Sequence, residues 1–136
     1  MCRVIVIDDN PMDHLIMRKT LERFDIFHDA LFSFSGEAII AFLEECYDEP
    51  AVLPDLIFLD LNMPFSGRAF LQHMEVLYKS LHKQPAIYIL SSSIDPADKE
   101  LVNAYEFVKD FLVKPVSTEA LFFIESAYRS EKRLAS

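Results

Sequence analysis

Residues 56–64, with the sequence LIFLDLNMP, contain the pattern that decides the fold. The first part of this stretch is a short apolar run rich in aliphatic and aromatic residues, with little alternation of polar ones. Such a run is typical of a strand covered on both faces of a parallel sheet. The run ends at Asp60. In parallel sheets with helices on both sides, ligands bind beyond the carboxyl ends of the strands, so this aspartate becomes a candidate functional residue.

Similar apolar runs recur along the chain, at residues 4–7, 30–34, 56–61, 86–90 and 111–113. The second run could also begin a helix. Longer stretches with helical spacing follow the runs, and their predicted starts lie at Pro11, Ser35, Ser66, Asp95-Pro96 and Ser117. The order is therefore strand then helix, five times over. This alternation predicts an α/β fold with a doubly wound, five-stranded parallel sheet.

The charge of the chain bears on its partners. Lys plus Arg is 13 and Asp plus Glu is 22, so the net charge is −9. Such a chain repels nucleic-acid phosphates and anionic lipids, and we expect neither as a partner. No apolar run reaches the roughly 18 residues that span a bilayer, which favours a cytoplasmic protein. Gly36 and Gly67 are isolated and exclude a glycine-rich phosphate loop.

Polar residues follow four of the five predicted strands: Asp8-Asp9, Asp60, Ser91 and Lys114. A lone aspartate after a strand is usually a helix cap, but this set would meet at one rim of the sheet. Clustered carboxylates repel one another, and a divalent cation relieves the repulsion. Oxygen ligands without His or Cys favour Mg²⁺. A carboxylate in such a site can attack phosphorus, with Lys114 and Ser91 meeting the phosphoryl oxygens.

Four motifs carry a family resemblance: IDDN at Asp8-Asp9, LDLNMP around Asp60, LSSS at Ser91 and FLVKP at Lys114. Together they resemble the receiver domain of bacterial two-component response regulators, over nearly the whole chain. The resemblance implies a flavodoxin-like receiver fold with strand order 2-1-3-4-5. It also implies phosphoryl transfer from a histidine kinase or a phosphotransfer protein to an aspartate of this chain.

The resemblance assigns a role to each matching residue. Asp60 is the expected phosphoacceptor. The expected Mg²⁺ site comprises Asp9, Asp60 and the backbone carbonyl of Asn62, with Asp8 holding a metal-bound water. Ser91 takes the place of the receiver hydroxyl and Lys114 that of the receiver lysine. Phe111 falls where receivers carry an aromatic switch residue. The expected docking surface for a downstream protein is built from the fourth helix, the fifth strand and the fifth helix.

Two departures from the receiver pattern affect the connections of the fold. Gly67 lies seven residues after Asp60, whereas many receivers carry the corresponding glycine one residue later. The loop between them is therefore expected to be shorter. Phe107-Val108 stand where many receivers have Gly-Ala before the fifth strand, which leaves the end of the fourth helix open.

Two other functions compete with a stand-alone response regulator. A Mg²⁺-dependent phosphohydrolase with an aspartyl-phosphate needs a second carboxylic acid two residues after the nucleophile. Asn62 stands at that position. A degenerate receiver would only bind partners, but the retained site residues argue against it.

The predicted fifth helix ends close to the end of the sequence. We therefore expect residues 1–136 to be one receiver domain without an output domain, monomeric or weakly dimeric. Its signal would leave by protein–protein contact or onward phosphotransfer.

Overall fold

The computed structural model describes residues 2–61, 67–93 and 95–135. Within these ranges the strands are β1 Val4–Ile7, β2 Leu31–Ser33, β3 Leu56–Asp60, β4 Ala86–Ser91 and β5 Val108–Val113. The helices are α1 Pro11–Arg23, α2 Gly36–Glu45, α3 Gly67–Leu77, α4 Pro96–Lys99, α5 Leu101–Ala104 and α6 Thr118–Ala135. A 3₁₀ turn, Tyr78–Ser80, follows α3.

The strands form one parallel sheet in the order β2-β1-β3-β4-β5. This confirms the α/β doubly wound arrangement and the strand order 2-1-3-4-5. The central strand β3 is buried at every position, as expected for a strand with helices on both sides. The second apolar run is a strand, β2, although it is short and partly exposed.

Alternate strand residues pack into two layers, because successive side chains of a strand point to opposite faces. One layer, here called the α2–α3 face, contains Ile5, Ile7, Ile57, Leu59, Ile87 and Ile89 together with residues of α2 and α3. The other, the α1–α6 face, contains Val4, Val6, Leu56, Phe58 and Leu90 together with residues of α1 and α6. A polar residue just beyond the end of a strand therefore points toward one of these two layers, according to its position in the alternation.

Side-chain caps fix where the helices begin. Asn10 accepts hydrogen bonds from the amides of Met12 and Asp13 at the start of α1. Ser35 and Asp95 cap α2 and α4, and Ser117 accepts a hydrogen bond from the Ala120 amide at the start of α6. These contacts satisfy amides that lack partners within the first turn. The predicted helix starts at Pro11, Ser35, Asp95-Pro96 and Ser117 are confirmed.

The region between β4 and β5 differs from the prediction. The single fourth helix is two short helices, α4 and α5, and β5 begins at Val108 instead of Phe111. Phe107 is 5% exposed and packs against the rings of Tyr78 and Tyr105, at centroid distances of 4.8 and 5.3 Å. The bulky Phe107-Val108 pair thus fills the core where many receivers make a tight Gly-Ala turn. Lys109 and Asp110 are exposed, which hid the start of the strand from an apolar pattern.

By helical spacing, the sequence predicts that Ile16, Met17, Leu21 and Phe24 form one apolar stripe. The buried side of α1 differs from this prediction. Met17 and Leu21 are buried, as expected, but Ile16 and Phe24 are 46% and 38% exposed. The row from Leu21 through Met17 continues one turn further at Asp13, by the four-residue spacing of helix neighbours. In its first turn the buried side of this helix therefore carries polar residues, the buried His14 and the half-buried Asp13.

Gly67 allows α3 to start directly against the end of β3. A Cβ atom at this position would lie 2.7 Å from the Leu61 Cα and 2.8 Å from the Asp60 carbonyl oxygen. The Gly67 amide also donates to the Leu61 carbonyl at 3.1 Å. Both close contacts are to backbone, so a side chain here must displace β3 or α3. The shortened loop itself, residues 62–66, lies outside the described residues.

We predict that Gly67→Ala lowers the free energy of unfolding by about 1–3 kcal/mol, because the added methyl group overpacks against backbone. Urea unfolding followed by circular dichroism measures the change. Gln72→Ala, an exposed position of the same helix, is the matched control and should change stability by less than about 0.5 kcal/mol. Equal stability of Gly67→Ala and wild type would contradict the close approach.

Candidate functional site

Three of the predicted site residues lie beyond the carboxyl ends of the strands on the same side of the sheet. Asp8 follows β1, Asp60 ends β3 and Lys114 follows β5. The residues two positions earlier all pack in the layer of the α1–α6 face: Val6, Phe58 and Leu112. Because side chains alternate along a strand, Asp8, Asp60 and Lys114 share that side. The alternation of side chains therefore brings these three residues together, although they lie on three different strands.

Asp8, Asp9 and Asp60 form an acidic cluster. Each has a carboxylate oxygen, and these atoms all lie within 4.8 Å of one another. Asp8 and Asp60 are each 2% exposed, while Asp9 is half-buried. Hard oxygen donors at this spacing, with no His or Cys in the cluster, fit Mg²⁺ better than a softer metal. The predicted fourth member, the backbone carbonyl of Asn62, lies outside the described residues.

Asp8 is fixed in place by both its backbone and its side chain. Its amide donates to the Ser33 carbonyl of β2 at 3.0 Å, and its Oδ1 accepts from the Asn10 amide at 3.0 Å. Asn10 is also the cap of α1. The start of α1 and the orientation of the Asp8 carboxylate are therefore set by the same short segment.

Lys114 lies among the carboxylates. Its Nζ donates to Asp8 Oδ2 and to Asp13 Oδ2, each at 2.8 Å, and lies 3.4 Å from Asp60 Oδ1. Burial opposes the charged form, but the hydrogen bonds to Asp13 and Asp8 and the nearby Asp60 outweigh it and raise the pKa of Lys114 above its usual range. The ammonium therefore stays charged at neutral pH and offsets part of the repulsion between the carboxylates.

The contact with Asp13 was not anticipated from the sequence. Asp13 lies in the first turn of α1, where an acid is ordinarily explained by the helix dipole. The sequence did contain one indication: Asp13 lies four and eight residues before Met17 and Leu21, so it shares their side of the helix. An acid in the inward row of a helix requires a buried or half-buried cation, and Lys114 supplies it.

Ser91 and Phe111 belong to the other layer. Ser91 is fully buried and lies two residues after Ile89, a residue of the α2–α3 face. Phe111 pairs in register with Ile89, is half-buried and packs against the same layer. The Ser91 hydroxyl oxygen accepts from the Ser93 amide at 3.0 Å, and its carbonyl accepts from the Lys114 amide at 2.8 Å. Ser91 is therefore bonded to Lys114 through the backbone, although their side chains belong to different faces.

A cleft of about 320 Å³ opens beside Lys114. It lies between α1 and the segment that follows β5, with Asp8 and Asp13 on its polar side and Ile16 and Val116 among its apolar lining. The cleft therefore reaches Asp8, Asp13 and Lys114 along one side of α1, while Asp9 and Asp60 are not among its lining residues.

A family model for the response regulator receiver domain matches residues 4–124. The chain belongs to this family. It is thus a receiver domain of two-component signalling, as the four motifs of the sequence predicted. A comparison with curated protein sequences found no match. Among the described residues, no helix is both long and apolar enough to cross a membrane.

Solved structures of other receivers are similar to this one. A response regulator receiver protein from Dyadobacter fermentans is 26% identical, with a TM-score of 0.75 over 89% of this chain and 92% of that one. A two-component response regulator from Cytophaga hutchinsonii is 24% identical, with a TM-score of 0.83 over 93% and 96%. A receiver domain from Saccharomyces cerevisiae, crystallised with a histidine phosphotransfer protein, is 22% identical, with a TM-score of 0.70 over 88% and 83%.

The charge balance of the site predicts opposite effects of two substitutions on stability. Asp60→Asn removes one of the mutually repelling buried carboxylates and should raise the melting temperature. Lys114→Met leaves those carboxylates without their lysine and should lower the free energy of unfolding by roughly 1–3 kcal/mol. Differential scanning calorimetry measures both, and Lys109→Met, at an exposed lysine of β5, is the control.

Added Mg²⁺ should raise the melting temperature of Lys114→Met more than that of wild type, because the ion replaces the lost positive charge. A Mg²⁺ effect of equal size in the two proteins would contradict this account of the cluster.

Proposed function

We propose that this receiver domain accepts a phosphoryl group from a histidine kinase or a phosphotransfer protein onto Asp60, with Mg²⁺, in the cytoplasm. Phosphorylation would then control contacts with another protein or onward transfer of the phosphoryl group. The observation that carries the proposal is the convergence of Asp8, Asp9 and Asp60 with Lys114 at one rim of the sheet.

Each residue has a defined part in the transfer. A carboxylate oxygen of Asp60 forms a bond to phosphorus while the bond between phosphorus and the donor breaks, and the donor keeps that electron pair. Asp8 and Asp9 with Asp60 would hold Mg²⁺, which when bound neutralises charge on the phosphoryl oxygens. Lys114 adds a second positive charge. The Ser91 oxygen accepts from the Ser93 amide, a contact that leaves its own hydrogen to be donated to a phosphoryl oxygen.

The proposal describes a phosphoacceptor and not an enzyme that turns over a substrate. Rapid hydrolysis of an aspartyl-phosphate requires a general acid–base group near the nucleophile. Asn62, two residues after Asp60, has an amide that does not exchange a proton at neutral pH. The phosphoryl group is therefore expected to remain long enough to act as a signal.

A donor protein would approach from the carboxyl ends of the strands. Support comes from the position of Asp8, Asp60 and Lys114 at the ends of β1, β3 and β5, and from the cleft that reaches Asp8 and Lys114 beside α1. The yeast receiver that resembles this chain was crystallised with a histidine phosphotransfer protein. By analogy, we propose a partner of this kind for the present domain.

The signal would be read on the opposite layer. Movement of Ser91 toward a phosphoryl group would open space at the end of β4, and Phe111, which shares the α2–α3 face with Ser91, would turn inward to fill it. A phenyl ring buries no hydroxyl group, so the inward state costs less than it would for tyrosine. The proposed docking surface for a downstream protein is built from α4, α5, β5 and α6, so it contains Phe111 and also one helix of the α1–α6 face.

Incubation with Mg²⁺ and acetyl phosphate should add one phosphoryl group to the wild-type protein. Asp60→Asn keeps the size of the side chain but removes the nucleophile, so the adduct should disappear. Intact-mass spectrometry measures both, and Asp29→Asn, at an exposed aspartate before β2, should behave as wild type. An adduct on Asp60→Asn would place the acceptor elsewhere. Fast release of phosphate without an adduct would favour a hydrolase.

Phe111→Ala should reduce the structural response to phosphorylation. In wild type, beryllofluoride, a phosphoryl mimic, should change the hydrogen-exchange rates of amides in α4, α5 and β5. The truncated side chain cannot fill the space beside Ser91, so this change should shrink severalfold in Phe111→Ala. Phe123→Ala, at a residue of α6 that is 75% exposed, is the control. A full response in Phe111→Ala would make Phe111 an ordinary core residue.

A further inference from the structure

The ammonium of Lys114 contacts three carboxylates that differ in burial. The side chains of Asp8 and Asp60 are each 3% exposed, whereas that of Asp13 is 31% exposed. Lys114 itself is 16% exposed, between the interior and the solvent. Its two short contacts, each 2.8 Å, are to Asp8 and Asp13, and its distance to Asp60 is longer, at 3.4 Å. Asp13 therefore holds Lys114 from the solvent side of the site.

Asp13 is not part of the acidic cluster. The carboxylate oxygens that lie close enough together to hold one ion come from Asp8, Asp9 and Asp60. Asp13 is positioned by α1, whose first turn is fixed through the cap at Asn10. The carboxylate therefore contacts the site through Lys114 and not through the metal ligands.

We propose that Asp13 is a positioning residue that competes with the phosphoryl group for Lys114. This inference rests on the proposed function, in which Asp60 carries the phosphoryl group. A phosphorylated Asp60 carries about two negative charges at neutral pH, where the free carboxylate carries one, and places them on oxygens further from the backbone. To meet them, Lys114 must give up at least part of its contact with Asp13. The same carboxylate then faces the new charges with less of its own charge neutralised.

The competition acts before and after phosphorylation, and in both states it disfavours the phosphorylated form. Asp13 shares the ammonium with Asp8 and Asp60 before phosphorylation, holding it from the solvent side, and it repels the phosphoryl group afterwards. Asp13 therefore lowers the affinity of the site for a phosphoryl group or its mimic. It also favours return of Lys114 to its resting position when the phosphoryl group leaves. The residue would set the level of phosphorylation that a given donor maintains.

The test compares beryllofluoride binding by wild type, Asp13→Asn and Asp13→Glu, each saturated with Mg²⁺. ¹⁹F NMR measures the dissociation constant from the signal of the bound mimic. Asp13→Asn keeps the size of the side chain and removes its charge, so it should bind beryllofluoride about two- to fivefold more tightly, the range expected for a partly exposed ion pair. Asp13→Glu restores the carboxylate and should return the affinity toward the wild-type value.

Two further measurements separate this role from a structural one or a general charge effect. The Mg²⁺ affinity of Asp13→Asn, from isothermal titration calorimetry, should not increase, because Asp13 is not a metal ligand. Glu22→Gln removes one negative charge from an exposed position of the same helix and should leave beryllofluoride affinity unchanged.

Equal or weaker binding by Asp13→Asn overturns the inference, as does equal tightening by Glu22→Gln. If wild type binds beryllofluoride, the proposed function stands in either case. If wild type shows no Mg²⁺-dependent binding, the proposed function and the inference both fail.

Discussion

The repulsion between carboxylates at one rim of the sheet is the constraint on which the site depends. Asp8 and Asp60 are almost fully buried, and Asp9 lies beside them. Buried charges of one sign are tolerated only when a cation compensates for them. Lys114 provides part of that compensation, and its position requires β5 to reach the same rim as β1 and β3. In the observed order, β5 lies beside β4 at the edge of the sheet. The position of Lys114 in the acidic cluster therefore depends on this strand order.

Short local contacts convert this requirement into a defined geometry. Asn10 both caps α1 and donates its amide to Asp8, so the helix cannot move without moving a carboxylate of the cluster. Gly67 brings the start of α3 against the carbonyl of Asp60. The Lys114 amide is bonded to the carbonyl of Ser91. Asp8, Ser91 and Lys114 are thus each held by backbone hydrogen bonds as well as by their side chains.

The sequence predicted the strand ends well because burial on both faces leaves an unmistakable apolar run, and the residue that ends the run is then obvious. The strand order came from the family resemblance, since apolar runs alone do not state which strands are neighbours. The start of β5 was missed because Lys109 and Asp110 are exposed near the edge of the sheet. The buried side of α1 was misjudged because its first turn carries polar residues there, the buried His14 and the half-buried Asp13. A search for apolar spacing cannot find a polar residue on the inner side of a helix when its binding partner lies far away in the sequence.

The sheet separates two groups of residues that must act together. Asp8, Asp60 and Lys114 follow strand positions of the α1–α6 face, whereas Ser91 and Phe111 belong to the α2–α3 face. Under the proposed function, substitutions at Phe111 would alter which protein is recognised without replacing Asp8, Asp60 or Lys114. Conversely, changes at Asp13 in α1 would adjust how long the proposed modification lasts while leaving Phe111 in place. A fold divided in this way can acquire new partners and new time constants by independent mutational steps, which makes it a versatile component for diverging signalling circuits.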